Sequence, residues 1–393
     1  MLSNESNLAK VQEFGLEDGY AIVVIESGES KKIINASTEF HTYDYTTYAE
    51  IDTTEQTLTN SILNLSIENK PKVYFLNGHG EFGIETETGT AELGILATFL
   101  KNEAFEVQSL NLATAGAVPE DCDTLVIMSQ NADFLEGETQ AIMDYINRGG
   151  NLFITQDIVR IGQDLQLTNL QKILDLYGVS FEKGYIVETD ENNTLSNCPY
   201  IFRPQVSSSS DITADIASDS HLWLAYAEKL NFVSSEQMDT LKVKYEELVG
   251  TSDSALYITN LDTTSATAAA QSSQSGHFTI SALMTKTISE ETEDKIESKL
   301  IISGVGTFCA DYVISELSQN PLSSLESNKD FAINGIANLA SKENGLKIRK
   351  DMSGSTYTPT QIQNKVVLTV IFVVPVMIIL VGIVIWKYRK KRK

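Results

Sequence analysis

The stretch CDTLVIMSQNADFLEGETQAIMDYINRGGNLFI, residues 122–154, decides the fold of this chain. Its first apolar run, 124–128, has the length and the β-branched content of a buried strand. Ile142, Tyr145 and Ile146 then recur at helical spacing, and the helix that they predict over 136–147 ends at Arg148-Gly149-Gly150. A second apolar run, 151–155, follows at once. Two buried strands that flank an amphipathic helix predict a parallel sheet covered by helices on both faces.

The same alternation extends toward the N-terminus. KVYFL at 72–76 predicts a strand, 91–101 a helix with its leucines on one stripe, and 105–110 another strand. Before these, the sequence predicts two short strands and a helix, at 21–25, 31–37 and 53–65. The central part of the chain is therefore expected to be an α/β domain.

On the C-terminal side a polar insertion interrupts this pattern. After a predicted helix at 167–177, residues 188–220 are rich in Ser and Asn and read as loop. Four segments with alternating apolar and polar residues then predict strands, at 229–233, 241–249, 256–259 and 277–286. A buried strand and two helices are predicted after them, at 299–303, 309–318 and 330–340. We expect one α/β domain over 71–345 with a β-rich insertion at about 188–285, preceded by a partial β-rich segment and helix over 1–66.

The candidate functional residues form one turn, Asn77-Gly78-His79-Gly80-Glu81, directly after the strand 72–76. Ligand crevices in open α/β sheets lie beyond such strand ends. The side chains of His79 and Glu81 have the chemistry of a base and its partner, or of two metal ligands. The alternative is that the glycines form a tight turn while both side chains bond neighbouring loops. These five residues are candidates for ligand binding, and the sequence predicts no catalytic group and no metal site.

Motifs of the common enzyme classes are missing from the sequence. It has no G-x-S-x-G or G-x-C-x-G elbow, and no Walker A lysine. Cys122 lies in an acidic context that opposes thiolate formation, and Cys309 at the head of a predicted helix is a weak candidate. Gly78, Gly80 and Gly83 match the dinucleotide spacing, but no predicted helix begins before about 88–91. We expect neither a cofactor nor an enzyme.

The net charge and the cysteine content exclude some kinds of partner and site. The 393 residues include 29 Lys+Arg and 53 Asp+Glu, a net charge of −24, which disfavours nucleic-acid binding. The three cysteines, Cys122, Cys198 and Cys309, are too widely spaced for a disulfide framework or a structural zinc site.

The C-terminus predicts a membrane anchor. Residues 366–386, VVLTVIFVVPVMIILVGIVIW, contain no charged side chain. At about 1.5 Å per residue they reach about 31 Å, the thickness of a bilayer core. Residues 387–393, KYRKKRK, follow as a basic tail, and 346–365 form the juxtamembrane linker. We expect a single-pass helix in contact with membrane lipid.

The orientation of that helix follows from its flanks. The positive-inside rule places the basic tail in the cytoplasm and the residues before the helix outside. No signal peptide is recognisable in residues 1–30, although a C-terminal anchor alone does not readily export a preceding domain. Two explanations remain, a tail-anchored protein with a cytosolic body or a longer chain with an upstream membrane segment, and we favour the second.

Three blocks resemble the GldG family of auxiliary, extracytoplasmic components of ABC-2-type transporters. They are KPKVYFLNGHGEFG (70–83), FLKNEAFEVQSLNL (99–112) and the block 122–154, and FAINGIANLASKENGLKIRKD (331–351) also resembles the family's ending. The resemblance implies a flavodoxin-like domain, distantly similar to class I glutamine amidotransferase-like folds without their catalytic cysteine. It also implies a permease and a P-loop ATPase as partners, in a bacterial cell membrane, and an N-terminal part that this sequence lacks.

Taken together, these features predict a non-catalytic, membrane-anchored extracytoplasmic subunit that binds cargo or stabilises a permease. Two alternatives remain. One is a membrane-tethered hydrolase or amidotransferase-like enzyme that uses His79 and Glu81. The other is a saccharide- or peptide-binding module built on the loops at 77–82 and 129–134.

Overall fold

The computed structural model describes residues 21–28, 30–43, 50–67, 69–84, 92–157, 166–195, 198–217, 222–259, 273–289, 295–313 and 326–340. All of these residues belong to the first of the chain's two units, residues 1–352. The linker, membrane helix and tail predicted over 346–393 lie outside the described residues. No helix within the described ranges is long and apolar enough to cross a membrane.

The strands of the described residues are, in chain order, β1 (Ile22–Ser27), β2 (Ser30–Asn35), β3 (His41–Tyr43), β4 (Glu50–Asp52), β5 (Lys72–Leu76), β6 (Glu106–Leu110), β7 (Thr124–Met128), β8 (Asn151–Thr155), β9 (Val179–Phe181), β10 (Tyr185–Val187), β11 (Thr194–Leu195), β12 (Cys198–Phe202), β13 (Gln205–Val206), β14 (Leu224–Ala225), β15 (Leu230–Phe232), β16 (Val243–Gly250), β17 (Leu256–Ile258), β18 (Ser273–Ser275), β19 (Thr279–Ser289) and β20 (Ile296–Ser303). The helices are α1 (Ala36–Glu39), α2 (Thr54–Ser66), α3 (Gly94–Asn102), α4 (Leu112–Ala115), α5 (Glu136–Asn147), α6 (Thr168–Asp175), α7 (Ala214–Ala217), α8 (Ser235–Leu241) and α9 (Glu326–Leu339).

A large mixed sheet organises these elements, with the strand order β13-β16-β19-β20-β8-β7-β5-β6. Its last five strands are parallel. In chain order these are β5, β6, β7, β8 and β20, so their spatial order is 2-1-3-4-5, the order of flavodoxin-like sheets. The prediction of a parallel sheet is confirmed for this half of the sheet.

Alternate residues of the parallel strands enter two separate cores. Val73, Phe75, Val126 and Phe153 pack on one face, against buried residues of α3 and α9. Leu125, Ile127, Leu152 and Ile154 pack on the other face, against buried residues of α5 and α6. Because successive strand side chains point to opposite faces, an apolar run such as TLVIM supplies both cores. The helices therefore cover the sheet on both sides, as the sequence predicts.

The other half of the sheet is antiparallel and comes largely from the insertion. Strands β19 and β20 form a long hairpin, and β16 and β13 extend the sheet beyond it. The sequence predicts a parallel sheet with a β-rich insertion, but not that strands of this insertion join the parallel strands in one mixed sheet. Strand β20 lies between β8 and β19, and it pairs in parallel with the first and antiparallel with the second.

One local prediction fails, and one predicted strand begins later than expected. The residues 188–220, expected as loop, contain the short strands β11, β12 and β13 and the helix α7. Strands β11 and β13 have only two residues each, too few for an alternating pattern, and β13 pairs with β16, which is distant in the chain. The strand predicted over 241–249 begins at Val243, because Leu241 is still part of helix α8. Ser234 caps the start of that helix by accepting a hydrogen bond from the N–H of Gln237.

Elsewhere the element types are confirmed, with small shifts of their ends. Residues 31–37 form strand β2 followed by the short helix α1, and the helix predicted over 330–340 begins earlier, at Glu326. At 307–309 the chain makes a 3-10 turn, and part of the helix predicted over 309–318 lies outside the described residues.

Candidate functional site

The candidate residues lie at the point where the parallel sheet changes direction. Strand β5 has β6 on one side and β7 on the other, so the chain leaves β5 toward one side and later returns on the other. Ligand crevices in such sheets open at this switch point, outside the carboxyl ends of the strands. Asn77 prolongs β5 there by donating its N–H to the carbonyl of Leu110, at 2.9 Å.

The loops that follow β5 and β7 are bonded to each other across the switch point. The N–H groups of Asn131 and Ala132 both donate to the carbonyl oxygen of His79, at 2.9 and 3.0 Å. The N–H of Phe82 donates to the carbonyl of Met128, at 2.9 Å. Backbone hydrogen bonds therefore join the loops that follow these two strands.

Glycine is required at two positions of the turn. Gly80 has φ +74°, and a Cβ on it would overlap the side-chain amide of Asn131. Gly78 has φ +123°, and a Cβ there would lie 2.9 Å from Nδ2 of Asn111. Both residues combine a backbone conformation that L side chains rarely adopt with close approach of a neighbouring loop.

The imidazole of His79 is held between two buried carboxylates. Its Nε2 lies 2.9 Å from Oε2 of Glu138, and its Nδ1 lies 3.3 Å from Oε1 of Glu81. The side chain of Glu81 is fully buried and that of Glu138 is 5% exposed, against 11% for His79. Phe134 packs edge-on against the imidazole, with the ring centroids 5.0 Å apart.

Both carboxylates also accept backbone hydrogen bonds. Glu81 accepts the N–H of His79 at 2.7 Å, and Glu138 accepts the N–H of Leu135, at the start of helix α5, at 2.8 Å. An ionised carboxylate only accepts, so both imidazole nitrogens of His79 donate when both acids are ionised. In that state the imidazole carries a positive charge and has no nitrogen available to remove a proton from a substrate.

The structure thus brings together two of the five predicted side chains, His79 and Glu81, while Asn77, Gly78 and Gly80 shape the backbone around them. Sequence reasoning missed Glu138, the third member of the cluster. A signal was available, because an acid at the third position of a helix commonly binds the helix N-terminus. Since α5 follows β7, that acid comes to the same edge of the sheet as the turn after β5.

The two thiols considered as nucleophiles are poorly suited to that role. Burial raises the pKa of Cys122 to about 12, and Cys122 lies 3.5 Å from the hydroxyl of Tyr145. Cys309 is completely buried, which raises its pKa well above the usual range for a thiol. At neutral pH neither forms the thiolate that nucleophilic catalysis requires. Within the described ranges, no three His, Cys, Asp or Glu side chains come together as metal ligands.

Comparison with solved structures finds distant similarities, each at 12% sequence identity. The N-terminal domain of mmIFT52 aligns with a TM-score of 0.44, over 70% of this chain and 100% of that one. A putative ThuA-like protein from Bacteroides uniformis ATCC 8492 aligns with 0.37, over 71% and 96%. The exo-β-1,4-mannosidase Op5Man5 from Opitutaceae bacterium strain TAV5 aligns with 0.28, over 71% and 37%. Likenesses at this level do not bear on what the chain does.

Comparison of the sequence with protein families is more informative. No curated protein matches the chain. The family model described as an ABC-type uncharacterized transport system matches residues 70–335, which include strands β5 to β20 and the candidate turn. This is the family to which GldG belongs, as the resemblance of the three blocks implied. The chain therefore belongs to this family of auxiliary components of ABC-type transport systems.

Proposed function

We propose that the chain is a non-catalytic, membrane-anchored accessory subunit of an ABC-2-type transporter, with its α/β domain outside the cytoplasm. The observation that carries this proposal is the family match over 70–335, which spans the whole central sheet. In this role the α/β domain binds cargo or stabilises the permease. A P-loop ATPase and a polytopic permease are the expected partners, because the sequence itself has no Walker A lysine.

The anchor is part of the proposal. Residues 366–386 contain no charge over a length sufficient for a bilayer, and the basic tail at 387–393 sets the orientation. Anchoring by this segment would confine the domain to the membrane that holds the permease and raise its effective concentration there, so that weak contacts between the two would suffice.

The arrangement around His79 favours a non-catalytic domain. Both imidazole nitrogens are engaged by carboxylates, and the loops at the switch point bond to each other. A general base must come within hydrogen-bond reach of a substrate, and the side chains of His79, Glu81 and Glu138 are at most 11% exposed. These contacts instead stabilise the loops, which suits a rigid surface that another protein or a cargo contacts.

Protease access tests the proposed topology. Spheroplasts of the native bacterium are treated with protease, and the fate of residues 1–365 is followed with antibodies to that region and to the tail. We expect loss of the domain signal and retention of a short membrane-protected fragment that carries residues 387–393. Protection of the domain in intact spheroplasts, with digestion only after lysis, contradicts an extracytoplasmic domain.

The variants His79→Asn and Glu81→Gln distinguish an enzyme from the proposed accessory subunit. They remove the basic and acidic groups with little change in side-chain volume. If the chain is a hydrolase or amidotransferase-like enzyme, each variant loses turnover while still assembling with its partners. In the proposed role, transport falls only as far as folding and assembly fall.

The other alternative is a binding module for saccharide or peptide. Thermal-shift measurements with such ligands test it, and Asn131→Ala is the variant that alters the loop surface.

A further inference from the structure

A second group of buried polar side chains lies at the same edge of the sheet, apart from the His79 cluster. Two of its members follow β7, two follow β8, and one lies between β14 and β15. They are Ser129, Gln130, Gln156, Asp157 and Glu228, and each is at most 3% exposed. None of them belongs to the candidate turn, and none is a histidine or a cysteine.

Backbone pairing places the loops after β7, β8 and β20 side by side. The N–H of Ser129 donates to Thr155 at 3.1 Å, and the N–H of Gln156 donates to Ser303 at 3.0 Å. The side-chain amide of Gln156 also donates to the carbonyl of Gln130, at 3.4 Å. Three adjacent parallel strands therefore deliver their following residues to one place.

The glycine-containing segment 304–306 brings the remaining members close. A Cβ on Gly306 would overlap Oγ of Ser129 and lie 3.2 Å from Cβ of Asp157. At the other end of the segment, the N–H of Glu228 donates to the carbonyl of Gly304 at 2.6 Å. Asp157 and Glu228 are near enough for the charge of one to raise the pKa of the other, in addition to the larger effect of burial.

Four buried side-chain oxygens of this group have no hydrogen-bond partner within the described part of the chain. They are Ser129 Oγ, Gln130 Oε1, Gln156 Oε1 and Glu228 Oε1. The donor ends of both glutamines are already used, by the carbonyls of Ala132 and Gln130, so both amide orientations are fixed with the oxygen unpaired. Buried acceptors of this kind are costly, and they are normally satisfied by a donor, a water or an ion.

We propose that these five side chains bind a hard divalent cation of the calcium type. The group offers oxygens only, and Ca²⁺ accepts carboxylates and amide carbonyls in irregular sets of six to eight oxygens. With both carboxylates bidentate, the five side chains supply about seven. The two carboxylates of Asp157 and Glu228 balance the charge of a divalent ion. Zinc is disfavoured because it prefers nitrogen and sulfur ligands, and Mg²⁺ because it keeps several waters that so buried a site excludes.

Binding is tested on the full-length chain in mild detergent, stripped with EDTA and desalted into excess Mg²⁺. Calcium is then titrated while thermal unfolding is followed, and bound calcium is counted by elemental analysis after gel filtration. We expect about one Ca²⁺ per chain and a rise in Tm of at least 5 °C, reversed by EGTA. Glu120→Gln, which removes an exposed acid, is the matched control and should leave both results unchanged.

Two variants address the site itself. Glu228→Gln keeps the side-chain volume and removes one carboxylate. Gln156→Met removes an amide oxygen, and it still tests calcium binding if the Glu228→Gln variant does not fold. Each should weaken calcium binding at least tenfold. No calcium effect on the parent chain overturns the proposal, in favour of a protonated Glu228 or ordered water. Full calcium affinity in a folded Glu228→Gln variant overturns it as well.

Discussion

The Nε2 atom of His79 lies 2.9 Å from Oε2 of Glu138, a residue 59 positions further along the chain. This contact joins the turn after β5 to the first turn of helix α5. Together with the bond between His79 and Glu81, it places the imidazole ring between two carboxylates that are almost completely shielded from water. The His79 side chain therefore adds to the backbone hydrogen bonds that join the two loops at the switch point.

Removing that side chain should be costly. In His79→Ala, the carboxylates of Glu81 and Glu138 remain buried without their shared partner, and we expect a loss of about 3 kcal/mol in the free energy of unfolding. Urea unfolding measures this loss. His277→Ala is the control, because His277 and its partner Glu247 are each about a third exposed, and the cost there should be about 1 kcal/mol. Equal losses in the two variants contradict the structural role of His79.

The need for glycine at position 80 has a matched control. Gly80 and Gly116 both have φ +74°, but a Cβ on Gly116 meets no atom within 4 Å. Gly116→Ala should therefore cost only the backbone term, about 1 kcal/mol. Gly80→Ala adds the overlap with Asn131 and should cost about 2 kcal/mol more. In the double variant Gly80→Ala/Asn131→Ala most of that excess should disappear, and its persistence would rule out the overlap as the cause.

Asp311 supplies a helix cap from a distant part of the chain. Its carboxylate accepts the N–H groups of Gly94 and Ile95, at 2.9 and 3.0 Å, from a position 217 residues away in sequence. The residue at the helix start, Leu93, has no side-chain acceptor of its own. Asp311→Ala should lower the free energy of unfolding by about 1 to 2 kcal/mol, with partial recovery in Asp311→Asn. Asp253→Ala, at an exposed acid, serves as the control with an effect within about 0.5 kcal/mol.

Glu228 makes the stability depend on pH in a defined direction. Burial, and then the charge of Asp157, raise the pKa of Glu228 well above its ordinary value of 4.5. Between 4.5 and the raised pKa, the folded chain binds more protons than the unfolded chain, so stability falls as pH rises through that window. Urea unfolding from pH 4.5 to 8 in EDTA should show this fall, and Glu228→Gln should show a shallower one. Identical slopes in the two proteins would contradict the raised pKa.

The sequence predicts the parallel half of the sheet because its strands are apolar on both faces and its helices are amphipathic. The runs at 72–76, 124–128 and 151–155 are each a complete strand of the structure. The antiparallel half was missed because nothing in 279–303 indicates that β20 pairs with β8 from one side and with β19 from the other. Contacts such as Asp311 with Gly94 leave no local pattern, since the capping residue lies outside the helix that it caps.

The candidate site was predicted in the same partial way. Asn77-Gly78-His79-Gly80-Glu81 stands out because two glycines flank a histidine after a buried strand. Glu138 looks in sequence like an ordinary acid in the first turn of a helix, and only the packing of α5 against the switch point brings it to His79. The five side chains proposed to bind calcium are spread over 100 residues and share no motif.

Co-purification tests the central claim most directly. The full-length chain, tagged at residue 393, is expressed from its native locus, crosslinked in intact cells and purified in mild detergent, and the captured proteins are identified by mass spectrometry. We predict a P-loop ATPase and a polytopic permease, both lost when the uncharged segment 366–386 is replaced by an unrelated membrane helix that contacts neither. Recovery of neither protein, with the tagged chain intact and in the membrane fraction, contradicts a transporter subunit.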